Sequence, residues 1–228
     1  TAIVDPNGDQ TEVIEYGPEI GEDELALFLE KIRFLSRGAD MMVLAGSLPQ
    51  NVPGDFYATL RGELGPGVVV AVDAQGPVLR AALAAGVDVV SPNAREAEEI
   101  VGHEFSDDGD MIAAAEELTA MGAATSLVHH PDGCVARERG DGKTGTTWTA
   151  FLRRREVLSS VGSGDAFLGG YLAALSRESD MEACLRLGVA CGAANTLMPG
   201  AGVFDPRDVE ALSRQVVIER TVEGPPGR

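Results

Sequence analysis

The spacing of apolar positions changes period repeatedly along this chain. Leu25, Phe28, Leu29, Ile32 and Leu35 recur at three- and four-residue steps behind the acidic turn Glu22, Asp23, Glu24, which predicts a helix. Met41 to Ala45 is a short unbroken apolar run that ends at Gly46-Ser47-Leu48-Pro49, as a buried strand would. The alternation then continues: helix over 55–64, β-branched strand over 68–72, helix over 77–85, strand over 87–90, and helices over 93–101 and 110–121, the last stopped by Gly122. Residues 126–130, 134–139 and 146–151 read as strands, with a loop at 140–145, and helices follow over 163–175, 181–197 and 205–217. The beginning differs. Residues 2–4 and 11–14 flank the dense turn signal Asp5-Pro6-Asn7-Gly8-Asp9, so they predict a hairpin, a small appendage or lid.

Strands alternating with helices, the strands nearly continuous in apolar residues, predict an α/β fold: a mainly parallel sheet flanked by helices on both faces. Ligands in such sheets bind beyond the carboxyl ends of the strands. Gly46-Ser47, Asp73, Ser91-Pro92-Asn93 and His130 all follow strand ends, so they are expected to converge on one crevice.

Composition narrows the partners. With 36 acidic against 18 basic residues among 228, the net charge is −18, which opposes nucleic acid and anionic membranes. Any phosphate site must be built locally, from main-chain amides, a few basic side chains and metal ions. No apolar run is long enough to span a bilayer, and nothing at the start reads as a secretory leader. Cys134, Cys184 and Cys191 are odd in number and form no Cys-x-x-Cys, so they read as core residues in a reducing cytoplasm.

The chemistry concentrates at Val161-Gly162-Ser163-Gly164-Asp165-Ala166-Phe167. A helix start carries unpaired N–H groups and partial positive charge, which suits a phosphate. Glycine lets the backbone approach a ligand. Asp165 stands where it could take a proton from a hydroxyl beside that phosphate. Ser163 or Gly164 could equally cap the helix, with Asp165 favouring its dipole. Asn93 and Glu96 lie on one side of a second helix start, where they could hold a metal or form a capping box.

Gly46-Ser47-Leu48-Pro49, Pro92-Asn93-Ala94-Arg95-Glu96 and Gly162-Ser163-Gly164-Asp165, in that order, resemble the PfkB-type sugar kinase family, which has the ribokinase-like fold. Thr11-Glu12-Val13 to Gly17-Pro18-Glu19-Ile20 resembles its branch containing 1-phosphofructokinase and tagatose-6-phosphate kinase. The resemblance reaches about Val217. It implies a partial lid hairpin over 1–16, an α/β kinase domain over 17–220 and a disordered tail over 221–228. It also implies a further N-terminal stretch ahead of the lid strand, holding the first sheet strand, a sugar-binding aspartate and a glycine pair. Without that stretch the chain is expected to expose a sheet edge and to fold poorly.

The implied reaction is ATP-dependent phosphorylation of a sugar or sugar phosphate, foremost fructose 1-phosphate to fructose 1,6-bisphosphate. The resemblance makes Asp165 the general base, the amides of Gly162, Ser163 and Gly164 the anion hole, and Gly46 and Ser47 sugar contacts. It assigns Mg²⁺ and nucleotide phosphates to Asn93 and Glu96, and nucleotide contacts to Val128, His130, Gly133, Gly164, Cys191 and Asn195. Ala190, Cys191, Ala194, Asn195 and Gly200 resemble the border of an adenine pocket, though a closely packed helix needs the same small residues. A monovalent cation near Gly200 and a homodimer through the lid are implied as well.

Two departures stand out. Val128 to Gly133 keeps only Gly133 of the family's turn, and Ser91 stands where many relatives carry lysine. His129 and His130, adjacent on a strand, point to opposite faces and would not chelate one metal. Tagatose-6-phosphate kinase, 6-phosphofructokinase, a ribokinase-like or nucleoside kinase, and a catalytically silent scaffold are the alternatives. A dinucleotide-binding oxidoreductase is disfavoured, because no Gly-x-Gly-x-x-Gly follows a first strand.

Overall fold

The computed structural model describes residues 2–4, 10–13, 17–140, 145–153 and 157–222. Two short strands, β1 (Ala2–Val4) and β2 (Gln10–Glu12), pair antiparallel with Ala2 opposite Glu12, so the expected hairpin forms. Its turn, residues 5–9, lies outside the described residues. A seven-stranded sheet follows the order β3 (Met41–Ala45), β4 (Val69–Asp73), β5 (Val87–Val90), β6 (Ala123–His130), β7 (Gly133–Arg139), β8 (Gly145–Phe151) and β9 (Val217–Val222). The pairs β3–β4, β4–β5 and β5–β6 are parallel. Only two residues separate β6 from β7, a span that permits only an antiparallel turn.

The helices are α1 (Glu22–Leu35), α2 (Phe56–Glu63), α3 (Gly76–Ala85), α4 (Ala94–Val101), α5 (Asp108–Met121), α6 (Ser163–Leu175), α7 (Met181–Asn195) and α8 (Pro206–Ser213). The described chain forms two compact units. One contains the β1–β2 hairpin, residues 129–134 and residues 148–220; the other contains residues 17–128, 135–147 and 221–222.

In the second unit the core forms around β4 and β5, whose Val70, Val72 and Val90 are fully buried and pack with Leu79, Leu83 and Leu118 from α3 and α5. Strands buried on both faces explain why their sequence shows runs rather than alternation. At the other extreme α1 contains no fully buried residue. Its Leu27, Phe28, Phe34 and Leu35 are exposed, as is Val43 of β3, the strand at one end of the described sheet.

In the first unit the small residues of α6 and α7 let the two helices approach closely. A Cβ on Gly170 would meet the Cys191 sulfur at 2.8 Å, and one on Gly192 would meet the Phe167 Cβ at 3.1 Å.

One element differs in type from the sequence reading. The helix expected over 205–217 ends at Ser213, and Val217–Val222 is strand β9, which takes in residues 221 and 222 of the expected tail. Residues 223–228 lie outside the described residues.

Candidate active site

Gly162 precedes α6 as its N-cap, at φ +76°. An L side chain in that left-handed region costs roughly 1–2 kcal/mol. A Cβ there would also stand 2.5 Å from the Ala201 Cβ and 2.8 Å from its Cα, so the turn is pressed against the loop after α7. The first helical bond runs from the Ala166 N–H to the Gly162 carbonyl, 2.9 Å. Residues 163–165 therefore have N–H groups without a helical acceptor. The Ser163 N–H donates instead to the Ser160 carbonyl at 3.2 Å. That leaves, among the described residues, the amides of Gly162, Gly164 and Asp165 as the helix-start donors, with the exposed Asp165 carboxylate in the same turn. The sequence reading names the amides of residues 162–164; the Asp165 amide lies at the same helix start.

The imidazole of His129 packs against this turn. Its Cε1 lies 3.2 Å from where a Gly164 Cβ would be, and its ring centroid is 5.3 Å from that of Phe167. Gly164 is thus spared a side chain partly to admit His129, a contact the sequence reading did not foresee. His130 accepts weakly at Nδ1 from the Asp132 N–H, 3.4 Å. Gly133 is required by packing, because at φ +158° its Cβ would fall 2.0 Å from the Ala150 carbonyl oxygen.

Asn195, expected beside a nucleotide, has no exposed surface, and its amide is engaged at both ends. Its Nδ2 donates to the Val161 carbonyl at 2.8 Å and its Oδ1 accepts from the Gly202 N–H at 2.7 Å. Reversing the amide would set like against like, so these partners fix its orientation. Cys191 is 7% exposed against Gly170, and burial pushes its thiol pKa up.

Within the second unit, β3 to β5 run parallel and their carboxyl ends lie together. The Gly46 N–H donates to the Asp73 carbonyl at 2.9 Å, and the Ser91 N–H to the Val72 carbonyl at 3.0 Å. Gly46 and Ser47 are exposed there, Gly46 at φ +87°. Tyr57, which the sequence reading missed, donates from its hydroxyl to the carbonyls of Ala45 (2.7 Å) and Gly46 (3.2 Å). Burial first, then the Asp73 charge, raises its pKa, so it stays a donor. Val128 is fully buried in this unit's core, so only its main chain could meet a ligand.

Asn93 and Glu96 form a reciprocal capping box on α4: the Glu96 N–H donates to Asn93 Oδ1 at 3.0 Å and the Asn93 N–H to Glu96 Oε2 at 2.9 Å. Burial pushes the Glu96 carboxyl above its ordinary value, against the lowering effect of its hydrogen bonds with Asn93. Two residues before Asn93, the fully buried Ser91 hydroxyl is, among the described residues, the buried side-chain polar group without a hydrogen-bond partner. No group of three or more His, Cys, Asp or Glu among the described residues is placed to hold a metal.

Comparison with known proteins places the chain in a family. A family model for pfkB family carbohydrate kinases matches residues 1–207. The 1-phosphofructokinase of Bacillus subtilis is 28% identical over 218 residues, 93% of this chain and 68% of that protein. The 1-phosphofructokinase of Borreliella burgdorferi is 26% identical over 214 residues, 93% of this chain and 67% of that protein. The crystal structure of phosphofructokinase-2 from Escherichia coli in complex with potassium superposes with a TM-score of 0.81 at 27% identity, covering 91% of this chain and 67% of that one. The chain thus spans about two thirds of the length of these relatives. By its family match, its sheet and the motif that opens α6, the chain belongs to the pfkB family of carbohydrate kinases and has their ribokinase-like fold.

Proposed function

We propose that this protein transfers the terminal phosphoryl group of ATP to a hydroxyl of a phosphorylated ketohexose, foremost fructose 1-phosphate, giving fructose 1,6-bisphosphate. One observation carries the reading. A turn locked left-handed at Gly162 leaves the Gly164 and Asp165 amides at the positive end of α6, beside a carboxylate. Phosphoryl transfer asks little covalent chemistry of a protein and much charge stabilisation and positioning. Removing one oriented donor to a developing oxyanion costs about 2.7–4 kcal/mol in other enzymes. Asp165 takes the proton from the attacking hydroxyl as the bond to the leaving phosphate loosens. Exposed Gly46 and Ser47 contact the sugar.

The two 1-phosphofructokinases support the acceptor, and their similarity over 93% of this chain supports its use here. An initial-rate assay of the purified protein tests it, with fructose 1-phosphate, fructose 6-phosphate, tagatose 6-phosphate, unphosphorylated sugars and nucleosides as acceptors. The highest kcat/KM is expected for fructose 1-phosphate. Preference for an unphosphorylated acceptor would contradict the reading. A monovalent cation near Gly200 belongs to the same reading, supported by the potassium in the Escherichia coli relative. So does subunit pairing through the β1–β2 hairpin.

Magnesium fits Asn93 and Glu96 only as a water-rich ion. Each side chain already spends one oxygen on the capping box, leaving few protein ligands. Mg²⁺ keeps several waters and takes few carboxylates, so such a pair suffices beside nucleotide phosphates. When bound, the ion neutralises charge on those phosphates.

Glu96→Gln separates this role from capping, because a glutamine oxygen still accepts from the Asn93 N–H. The variant should retain the fold but need several-fold more Mg²⁺ for half-maximal activity. Its pH dependence of stability should also change. The Glu96 pKa is raised on folding, so its contribution is fully present below the ordinary value of 4.5 and is lost as pH rises through the raised value. Glu96→Gln removes that decline, which denaturant unfolding across the acid range would reveal.

A further inference from the structure

We propose that Asn195 is a positioning residue for phosphoryl transfer: one buried amide holds the phosphate-binding turn and the 200–202 loop in fixed register. The inference rests on the reading of residues 162–165 given above. Its basis is where the turn gets its rigidity. A helix start supplies amides but does not fix where they point in the fold. Here the segment over 157–161 leading into α6 is fastened to the end of α7. The Leu158 and Ser159 N–H groups donate to the Thr196 carbonyl at 2.8 and 3.4 Å. The Val161 N–H donates to the Ser159 hydroxyl at 3.3 Å. The last carbonyl before Gly162, that of Val161, accepts from Asn195 Nδ2 at 2.8 Å.

The other end of the same side chain holds the Gly202 N–H at 2.7 Å. Gly202 follows Ala201, the residue against which Gly162 is pressed. Asn195 thus bridges the two segments whose contact sets the left-handed turn. It is fully buried, so water does not compete for either bond. Gly192, one turn earlier on α7, lies close to the Ser163 carbonyl and to Phe167, each 3.1 Å from its would-be Cβ, and gives the helix a second hold on α6. Displacing a catalytic group by about 1 Å can cost on the order of 10²-fold in rate. Losing the bridge should therefore act on turnover more than on ligand affinity.

Two variants and one measurement on the unmodified protein test this. Asn195→Ala removes both hydrogen bonds. Asn195→Asp keeps the acceptor for Gly202 but sets an oxygen against the Val161 carbonyl. For each variant that folds by circular dichroism, kcat should fall by about 30- to 100-fold while the KM for ATP stays within about threefold. A kcat within threefold of the parent, or a loss confined to KM, would overturn the proposal. If neither variant folds, hydrogen exchange in the parent decides. A nonhydrolysable ATP analogue should slow exchange at residues 163–165 and at Gly202 together, and slowing at 163–165 alone would overturn the coupling. Asp165→Asn in the same assay keeps the two claims apart. If it retains turnover, the reading of the site has failed. If it abolishes turnover while Asn195 variants remain active, only the positioning role has failed.

Discussion

Asp165→Asn should lower kcat by about 10²- to 10⁴-fold, the usual contribution of a positioned general base. The substitution is isosteric and its setting is forgiving. Asp165 is exposed in the first turn of α6, and it is not the residue that sets the turn, which is Gly162. The structural loss is confined to the favourable meeting of a carboxylate with a helix N-terminus, typically about 0.3–1 kcal/mol. The main-chain amides at residues 164 and 165 remain, so ATP affinity measured by calorimetry should stay within a few-fold of the parent. A silent scaffold with this fold would show no such split, because it would have no turnover to lose. Retained turnover would remove Asp165 from the mechanism.

Gly162→Ala should damage both stability and catalysis. The methyl group meets two penalties at once: a left-handed backbone at φ +76° and an approach of 2.5 Å to the Ala201 Cβ. The first costs roughly 1–2 kcal/mol. Relieving the second shifts the 200–202 loop, which Asn195 ties back to Val161. A combined loss of about 2–4 kcal/mol would lower Tm by roughly 5–10 °C in a domain of this size. Turnover should fall further than stability alone explains, since the surviving folded molecules carry a displaced turn. Gly169→Ala is the control. Gly169 sits in the same helix, exposed, with nothing within 4 Å of its would-be Cβ. That substitution should leave kcat unchanged and stabilise the helix by about 0.5–1 kcal/mol. Equal effects of the two alanines would contradict the reading of the turn.

How much of this was legible in the sequence depended on the range of the forces involved. The parallel strands β4 and β5 announce themselves because burial on both faces demands unbroken apolar runs, as at Val70, Ala71 and Val72. The start of α6 was legible because the glycine at residue 162 reports a local backbone requirement, a left-handed turn. Strand β9 was not. The apolar spacing Val209, Leu212, Val216 continues onto Val217, so a helix template fits across the true boundary at Ser213. The bridging contacts of Asn195 were hidden for another reason. Its neighbours are small, which suits a flat ligand and a close helix pair equally. Its actual partners lie 34 residues before it and 7 after it, beyond any periodicity. The packing of His129 on Gly164 is hidden in the same way.

The most direct measurement is a crystal structure of the protein with a nonhydrolysable ATP analogue and the acceptor sugar. The terminal phosphate oxygens should lie about 2.7–3.2 Å from the Gly164 and Asp165 nitrogens, with the Asp165 carboxylate at similar range from the acceptor hydroxyl. A terminal phosphate bound away from residues 162–165 while the acceptor sits in its site would contradict the account.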